Sequence, residues 1–87
     1  MRLIFGGRVQ GVNFRDFTRR QAEEHHLVGC VRNLEDGTVQ VIAEGQRPDI
    51  LHFIEQLMSG PPHAAVNSVD TQWVMPSGDF TDFSIRY

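Results

Sequence analysis

The sequence predicts an α+β sandwich, in which a mostly antiparallel sheet carries two helices on one face. The chain has 87 residues, of which 40% are hydrophobic, so it can form one core with little room for a second domain. Its candidate elements follow the order β-α-β-β-α-β-β, and split βαβ units of this kind place two helices together on the sheet. We therefore expect a single domain over residues 1–87.

Hydrophobic periodicity and breaker residues delimit the seven elements. They are a strand through residues 3–5, a helix over about 14–25, strands over 28–33 and 38–44, a helix over about 48–58, and strands over 67–75 and 83–87.

The first half of the chain contains a strand, a helix and a hairpin. The first strand ends at the Gly6-Gly7 pair, and the helix that follows the next loop has no Gly or Pro. The Asp36-Gly37 pair predicts a hairpin turn, because glycine tolerates the positive φ that the turn requires. The core-facing positions are predicted as Phe14, Phe17, Thr18, Gln21, Ala22 and His25 in the helix and Val39, Val41 and Ala43 in the third strand.

The second half begins with the clearest amphipathic helix. Pro48 suits its first turn, and Gly60 with two prolines ends it. Its apolar face is predicted as Ile50, Phe53, Ile54, Leu57 and Met58. The next strand is expected to place Val69, Thr71, Trp73 and Met75 on one face, and Phe53, Trp73 and Phe83 are expected in the core. The whole order is that of a ferredoxin-like fold, although the position of the last strand in the sheet is not predicted.

The net charge of −3 conceals an asymmetry. Residues 1–20 carry +4 and residues 21–87 carry −7, and the chain contains no lysine. A local concentration of arginine in an acidic protein favours a small anionic ligand over a nucleic acid, which would need an extended basic face. Arg19 and Arg20 are expected on a solvated helix face.

Composition also argues against several other classes of protein. No apolar run is long enough for a membrane span, and a single cysteine, Cys30, cannot form an internal disulfide. We expect a cytoplasmic protein. The histidines do not have metal-ligand spacing, since His25 and His26 are adjacent and His52 and His63 are isolated. Neither a metal site nor a cofactor is expected.

The loop over residues 7–15, GRVQGVNFR, is the most informative segment. It leaves a strand, contains Gly7 and Gly11, and enters a helix, so its backbone N–H groups and the helix N-terminus can bind an anion. Arg15 opposes the helix dipole in the first turn, which a bound anion would offset. The spacing alone fits equally well a plain strand-to-helix turn with a surface arginine.

This loop resembles the first signature of the acylphosphatase family. The segment over residues 29–39, GCVRNLEDGTV, with Glu44-Gly45 after it, is similar to the second signature, and the segments GPP (60–62), PSGDF (76–80) and FSIRY (83–87) are also similar to family members. The resemblance covers nearly the whole chain. It implies a ferredoxin-like enzyme that hydrolyses the carboxyl-phosphate bond of acyl phosphates without a metal or a covalent intermediate.

The resemblance also implies the site residues. Arg15 would be the essential phosphate-binding arginine, and Asn33 would orient the attacking water. Asn33 has no useful pKa near neutrality, so it cannot serve as a general base. The phosphate-binding loop would comprise Arg8, Val9, Gln10, Gly11, Val12, Asn13, Phe14 and Arg15.

Four residues depart from the usual family pattern. Cys30 replaces an aromatic residue and is expected to be small and buried. Asn13 lies inside the loop, where asparagine tolerates unusual φ values. His25 replaces a leucine, and His26 replaces a glycine at the helix end, where histidine can adopt the left-handed conformation at some energetic cost.

Two functions are compatible with these residues. The first is a free-standing, monomeric acylphosphatase that acts on a small acyl phosphate and has no nucleic-acid or membrane partner. Larger hydrogenase-maturation proteins carry a similar domain at their N-terminus. The alternative is a non-catalytic module that binds phosphate or a phosphorylated partner. The presence of both Arg15 and Asn33 favours the enzyme, because phosphate binding alone needs no water-orienting amide.

Overall fold

The computed structural model describes all 87 residues and contains the seven predicted elements in the predicted order. They are β1 (Arg2–Arg8), α1 (Phe14–Glu24), β2 (Val28–Asn33), β3 (Val39–Glu44), α2 (Arg47–Ser59), β4 (Ala65–Gln72) and β5 (Phe83–Arg86). The strands form one sheet in the order β4-β1-β3-β2-β5, antiparallel except between β2 and β5. The predicted ferredoxin-like α+β fold is confirmed.

Both helices pack on one face of the sheet and share a single core of 15 buried hydrophobic residues. The alternation predicted for β3 is confirmed, because Val39, Val41 and Ala43 are fully buried and the residues between them are partly exposed. The helices contribute Phe14 and Ala22 from α1 and Ile50, Phe53 and Leu57 from α2. Burial of these side chains supplies the main driving force for folding.

The last strand, which the sequence did not place, lies parallel to β2 at the edge of the sheet. Gly29 donates its N–H to the Asp82 carbonyl at 2.9 Å, which aligns the start of β5 with β2. Phe83 is buried, with its ring centroid 6.1 Å from that of Phe53 on α2. Because the two strands are parallel, their carboxyl ends meet at the same edge of the fold.

The fourth strand was predicted over residues 67–75, and this prediction is wrong at both ends. β4 begins at Ala65 and ends at Gln72, which pairs with Arg2 at the start of β1. The pairing of β4 with β1 ends at Gln72, and the chain leaves the sheet there. The continued alternation of apolar residues after Gln72 therefore does not indicate a strand.

Trp73 is consequently not in the core, contrary to prediction. Its side chain is 48% exposed, and the Arg47 guanidinium lies over its ring, 4.2 Å from the centroid. Met75 is 91% exposed, and Met58 lies at the margin of the apolar face of α2, where it is 40% exposed. Phe53 and Phe83 are buried as predicted.

The connection from β4 to β5 is held at its midpoint by Glu44, the last residue of β3. The Ser77 N–H and hydroxyl and the Gly78 N–H donate to the Glu44 carboxylate at 2.8, 3.1 and 3.4 Å. These bonds, the Ser77 N–H first, lower the pKa of Glu44 from its usual value. The carboxylate therefore remains charged and keeps the connection against the sheet.

The C-terminus of α1 accommodates the unusual histidines. His26 adopts the left-handed conformation, with φ of 58°, as expected for the residue after the helix. The Leu27 N–H donates to the Ala22 carbonyl at 2.9 Å and the His26 N–H to the Glu23 carbonyl at 3.2 Å, which is the hydrogen-bond pattern of a Schellman motif. The His25 ring packs edge-on against Phe53 at 6.5 Å.

The remaining departure, Cys30, is 8% exposed, which confirms the expected small buried residue. It lies on β2 between Ile42 of β3 and Ser84 of β5.

We predict that Gly29→Ala strongly destabilises the fold. Gly29 has a φ of 147°, and a Cβ atom there would overlap the carbonyl oxygen of Ile42 on the paired strand. Gly37→Ala is the matched control, because Gly37 also has a positive φ, 92°, but has open space around its Cα. Urea unfolding should show a loss of about 1 kcal/mol for Gly37→Ala and at least about 3 kcal/mol for Gly29→Ala. Equal losses would contradict the steric argument.

Candidate active site

A pocket with a volume of about 240 Å³ lies where the carboxyl ends of β2 and β5 meet the N-terminus of α1. The loop between β1 and α1 forms one side of it. Its lining residues are Val9, Gly11, Asn13, Phe14, Arg15, Asp16, Asn33, Ile85 and Tyr87. The pocket therefore brings the arginine of the first signature together with the asparagine of the second, although 18 positions separate them in sequence.

The loop is shaped by its two ends and by two left-handed residues. Val9 and Phe14 are each 1% exposed, and the Phe14 ring packs against Phe5 with centroids 5.5 Å apart. Between them, Gly11 has φ of 73° and Asn13 has φ of 65°, so the chain turns tightly before the helix. Asn13 thus adopts the conformation that its residue type tolerates.

The N-terminus of α1 has free hydrogen-bond donors. Asn13 occupies the N-cap position, but no side chain caps the helix. The first N–H groups of a helix have no partner within the helix, and together with the helix dipole they attract an anion. The pocket lies against these donors.

Arg15 brings a cation to the same place and forms no ion pair with any acidic side chain. Its Nη1 donates to the Arg86 carbonyl at 3.4 Å, and its guanidinium carbon lies 4.7 Å from the centroid of the Tyr87 ring. Neither contact neutralises the charge. Most of the guanidinium's five N–H donors therefore remain available to an anionic ligand.

Asp16, the neighbouring acid, is occupied elsewhere. Its carboxylate pairs with Arg19 at 2.9 Å and with Arg20 at 3.1 Å on the solvated face of α1, where both arginines were expected. The hydrogen bond from Arg19 is the main cause that lowers the pKa of Asp16, with a smaller contribution from the charge of Arg20. This pairing offsets the charge of the one acidic side chain among the lining residues.

Asn33 is the last residue of β2 and presents an unsatisfied acceptor. Its Oδ1 atom is buried and has no hydrogen-bond partner in the protein. An unpaired buried carbonyl oxygen costs about 1–3 kcal/mol, so such atoms commonly bind water or a ligand. In this pocket a water molecule that donates to Oδ1 would lie close to an anion on the loop.

Gln10 connects the loop to the neighbourhood of Asn33. Its Nε2 donates to the Leu34 and Thr38 carbonyls, both at 2.8 Å, at the two ends of the β2–β3 turn. The Gln10 side chain is therefore directed to the turn, and Gln10, Arg8 and Val12 are not among the lining residues. Six of the nine residues singled out from the sequence do line the pocket.

Sequence reasoning missed three lining residues: Asp16, Ile85 and Tyr87. Asp16 follows Arg15 directly, so its proximity could have been foreseen from the helix. Ile85 and Tyr87 approach only because β5 pairs with β2, and no local signal indicates that pairing. No three His, Cys, Asp or Glu side chains come together in a possible metal site, and neither helix has the length and apolar character of a bilayer span.

The fold and the pocket define a small ferredoxin-like protein with a pocket lined by an arginine that has no acidic partner. The model of the family described as Acylphosphatase matches residues 1–85. A curated protein of Dehalococcoides mccartyi named Acylphosphatase is 49% identical, over all of this chain and 97% of its own. The chain belongs to the acylphosphatase family, and acylphosphatase activity is the function that the names of its relatives support.

Solved structures agree with this assignment. The crystal structure of acylphosphatase from Bacillus subtilis superposes with a TM-score of 0.95 at 36% identity and covers 99% of this chain and 96% of its own. The crystal structure of T. kodakarensis HypF matches 99% of this chain with a TM-score of 0.88, but over only 11% of its own length. The same domain therefore also occurs within a much longer protein.

We predict that Gln10→Ala loosens the loop from the β2–β3 turn. The substitution removes both hydrogen bonds to the carbonyls, so the free energy of unfolding should fall by about 2 kcal/mol. Gln72→Ala is the control, because Gln72 accepts only one exposed hydrogen bond from Arg2. This substitution should lower the free energy of unfolding by about 0.5 kcal/mol or less. Urea unfolding distinguishes the two, and an equal loss for both variants would refute the role of Gln10.

Proposed function

We propose that the loop of residues 8–15 binds the phosphoryl group of an acyl phosphate, with Arg15 as its main cation, and that Asn33 orients the attacking water. One observation carries the proposal: an arginine without an acidic partner lines the same pocket as Asn33, whose buried carboxamide oxygen is unsatisfied. Phosphate binding explains the arginine without an acidic partner, and a bound water explains the unsatisfied oxygen of Asn33.

Electrostatic stabilisation is the main task for such an enzyme. In phosphoryl transfer, charge spreads over the three equatorial oxygens of the phosphoryl group, and catalysis consists largely of positioning and charge stabilisation. The guanidinium fork of Arg15 can donate two parallel hydrogen bonds to phosphoryl oxygens. The uncapped N–H groups of α1 supply further fixed donors, which need no rearrangement during the reaction.

The proposed reaction is direct attack of water on phosphorus. The water donates one hydrogen to Oδ1 of Asn33, which turns a lone pair toward phosphorus. The new P–O bond forms as the bond to the carboxyl oxygen breaks, and the electron pair leaves with the carboxylate. A carboxylic acid has a pKa near 4, so the leaving group needs no proton.

The proton of the attacking water passes to a phosphoryl oxygen, which gives dihydrogen phosphate and a free carboxylate. Asn33 cannot accept this proton, and Asp16 is held in its ion pairs with Arg19 and Arg20. The substrate itself is therefore the base in this proposal. No metal ion, cofactor or covalent intermediate enters it.

The proposal also includes the protein's binding partners and its cellular compartment. The central strands β1 and β3 carry the partly exposed residues Ile4, Gln40 and Ile42 on the sheet face away from the helices, and none of these three is an aromatic residue that could stack on a nucleic-acid base. We propose that the protein acts as a monomer in the cytoplasm, as a single domain without a nucleic-acid partner. A buried free thiol at Cys30 suits a reducing compartment.

We predict that Arg15→Ala loses both substrate binding and turnover. With a model acyl phosphate and a chelator present, kcat/KM should fall by about 10³-fold or more, and inhibition by inorganic phosphate should disappear. Arg47→Ala is the matched control, because Arg47 lies over Trp73 away from the pocket and should retain full activity. Full activity in Arg15→Ala, or no hydrolysis by the wild type, would contradict the catalytic proposal.

Asn33→Ala is expected to separate binding from turnover. The variant should bind inorganic phosphate as the wild type does, because Arg15 and the loop are intact, while kcat falls by about 10²-fold or more. Asn67→Ala on the exposed edge strand β4 serves as the control and should change neither the affinity for phosphate nor kcat. If phosphate affinity falls together with kcat, Asn33 acts on the loop rather than on the water.

A further inference from the structure

The pocket has two chemically different walls. One is polar and contains the Asn13 loop backbone, the Arg15 guanidinium and the Asn33 carboxamide. The other is apolar and comes from the end of the sheet, where Ile85 of β5 and Tyr87 after it line the pocket. The proposed reaction at the phosphoryl group uses only the polar wall.

Exposure determines which apolar side chains can contact a ligand. Val9 and Phe14 line the pocket, but each is 1% exposed and belongs to the core. Ile85 is half-buried and Tyr87 is fully exposed. These two are therefore the apolar side chains of the pocket that have free surface to offer to a ligand.

The Tyr87 ring is oriented by Arg15. The guanidinium lies over one face of the ring at 4.7 Å, and the same guanidinium donates to the Arg86 carbonyl at 3.4 Å. The N–H donors of a guanidinium lie in its plane, so a phosphoryl group bound at the edge leaves the stacked face undisturbed. Tyr87 then stays beside the bound phosphoryl group with its second face in solvent.

An acyl phosphate carries its organic group directly on the phosphoryl oxygen, so this group must lie next to the phosphate site. We propose that Ile85 and Tyr87 form an acyl subsite and that the free face of the Tyr87 ring favours flat aromatic acyl groups over acetyl. Aromatic rings prefer offset or edge-on contact at centroid distances of about 4.5–7 Å, which an exposed ring at a pocket rim allows. This inference rests on the proposed function and names its preferred substrate class.

The test compares benzoyl phosphate with acetyl phosphate in Tyr87→Ala and Tyr87→Phe. In Tyr87→Ala, kcat/KM for benzoyl phosphate relative to acetyl phosphate should fall by about 10-fold, and Tyr87→Phe should keep the wild-type ratio because the ring remains. Trp73→Ala, which removes another exposed aromatic ring, should also keep the ratio. The exposure of Tyr87 means that the variants should fold, which circular dichroism and thermal unfolding verify.

A second measurement makes the result independent of turnover. The wild type should bind benzylphosphonate about 10-fold more tightly than methylphosphonate, and Tyr87→Ala should abolish this difference while leaving methylphosphonate binding within about 2-fold. If Tyr87→Ala weakens the binding of both phosphonates by the same factor, or lowers kcat/KM for both substrates by the same factor, Tyr87 acts only through Arg15. Either result refutes the subsite. An unchanged ratio refutes it as well. Failure of the wild type to hydrolyse either substrate counts against the proposed function, and phosphonate binding still decides the subsite.

Discussion

The parallel pairing of β5 with β2 is the constraint on which the site depends. Every other pair in the sheet is antiparallel, so only here do two neighbouring strands end side by side at the same edge. That edge also receives the N-terminus of α1 and the loop before it. Asn33, Ile85 and Tyr87 thereby surround Arg15. Gly29 permits this arrangement, because its N–H aligns β5 while its missing Cβ lets β3 approach from the other side.

Electrostatics in the site follow from which charges are paired. Arg15 opposes the helix dipole and has no acidic partner, an arrangement that is unfavourable until an anion binds. Asp16 is the nearest acid in sequence, but Arg19 and Arg20 bind its carboxylate from one turn further along α1. A protein with a net charge of −3 can therefore present an unpaired cation in its pocket, because the ion pairs on α1 involve Arg19 and Arg20 but not Arg15.

The residues that depart from the family pattern lie where the backbone can accommodate them. Asn13 and His26 are the two non-glycine residues with positive φ, one at each end of α1. Both belong to the residue types that tolerate this region better than most. Cys30 takes a buried position between two strands. None of the four removes a hydrogen-bonding group from the pocket wall, and one of them, Asn13, supplies the tight turn into the helix.

Local sequence patterns determined the element order, most element boundaries to within one or two residues, and the two segments that meet in the pocket. These features depend on neighbours in the chain: the Asp36-Gly37 turn, the amphipathic spacing of α2, and the glycines that precede α1. Local patterns did not predict the end of β4, since the alternation of apolar residues continues to Met75 while the pairing with β1 ends at Gln72. Trp73 is exposed because it lies just beyond the last paired residue of β4.

Only the tertiary structure decided where β5 lies, that Gln10 is directed to the β2–β3 turn, and that Tyr87 covers one face of Arg15. The physical reason is common to all three. Each is a contact between residues at least 24 positions apart, whose formation depends on the shape of the assembled core rather than on the preferences of a short segment. The sequence by itself therefore predicted which residues could hold a phosphoryl group. The packing of the sheet determined that Ile85 and Tyr87 lie beside them.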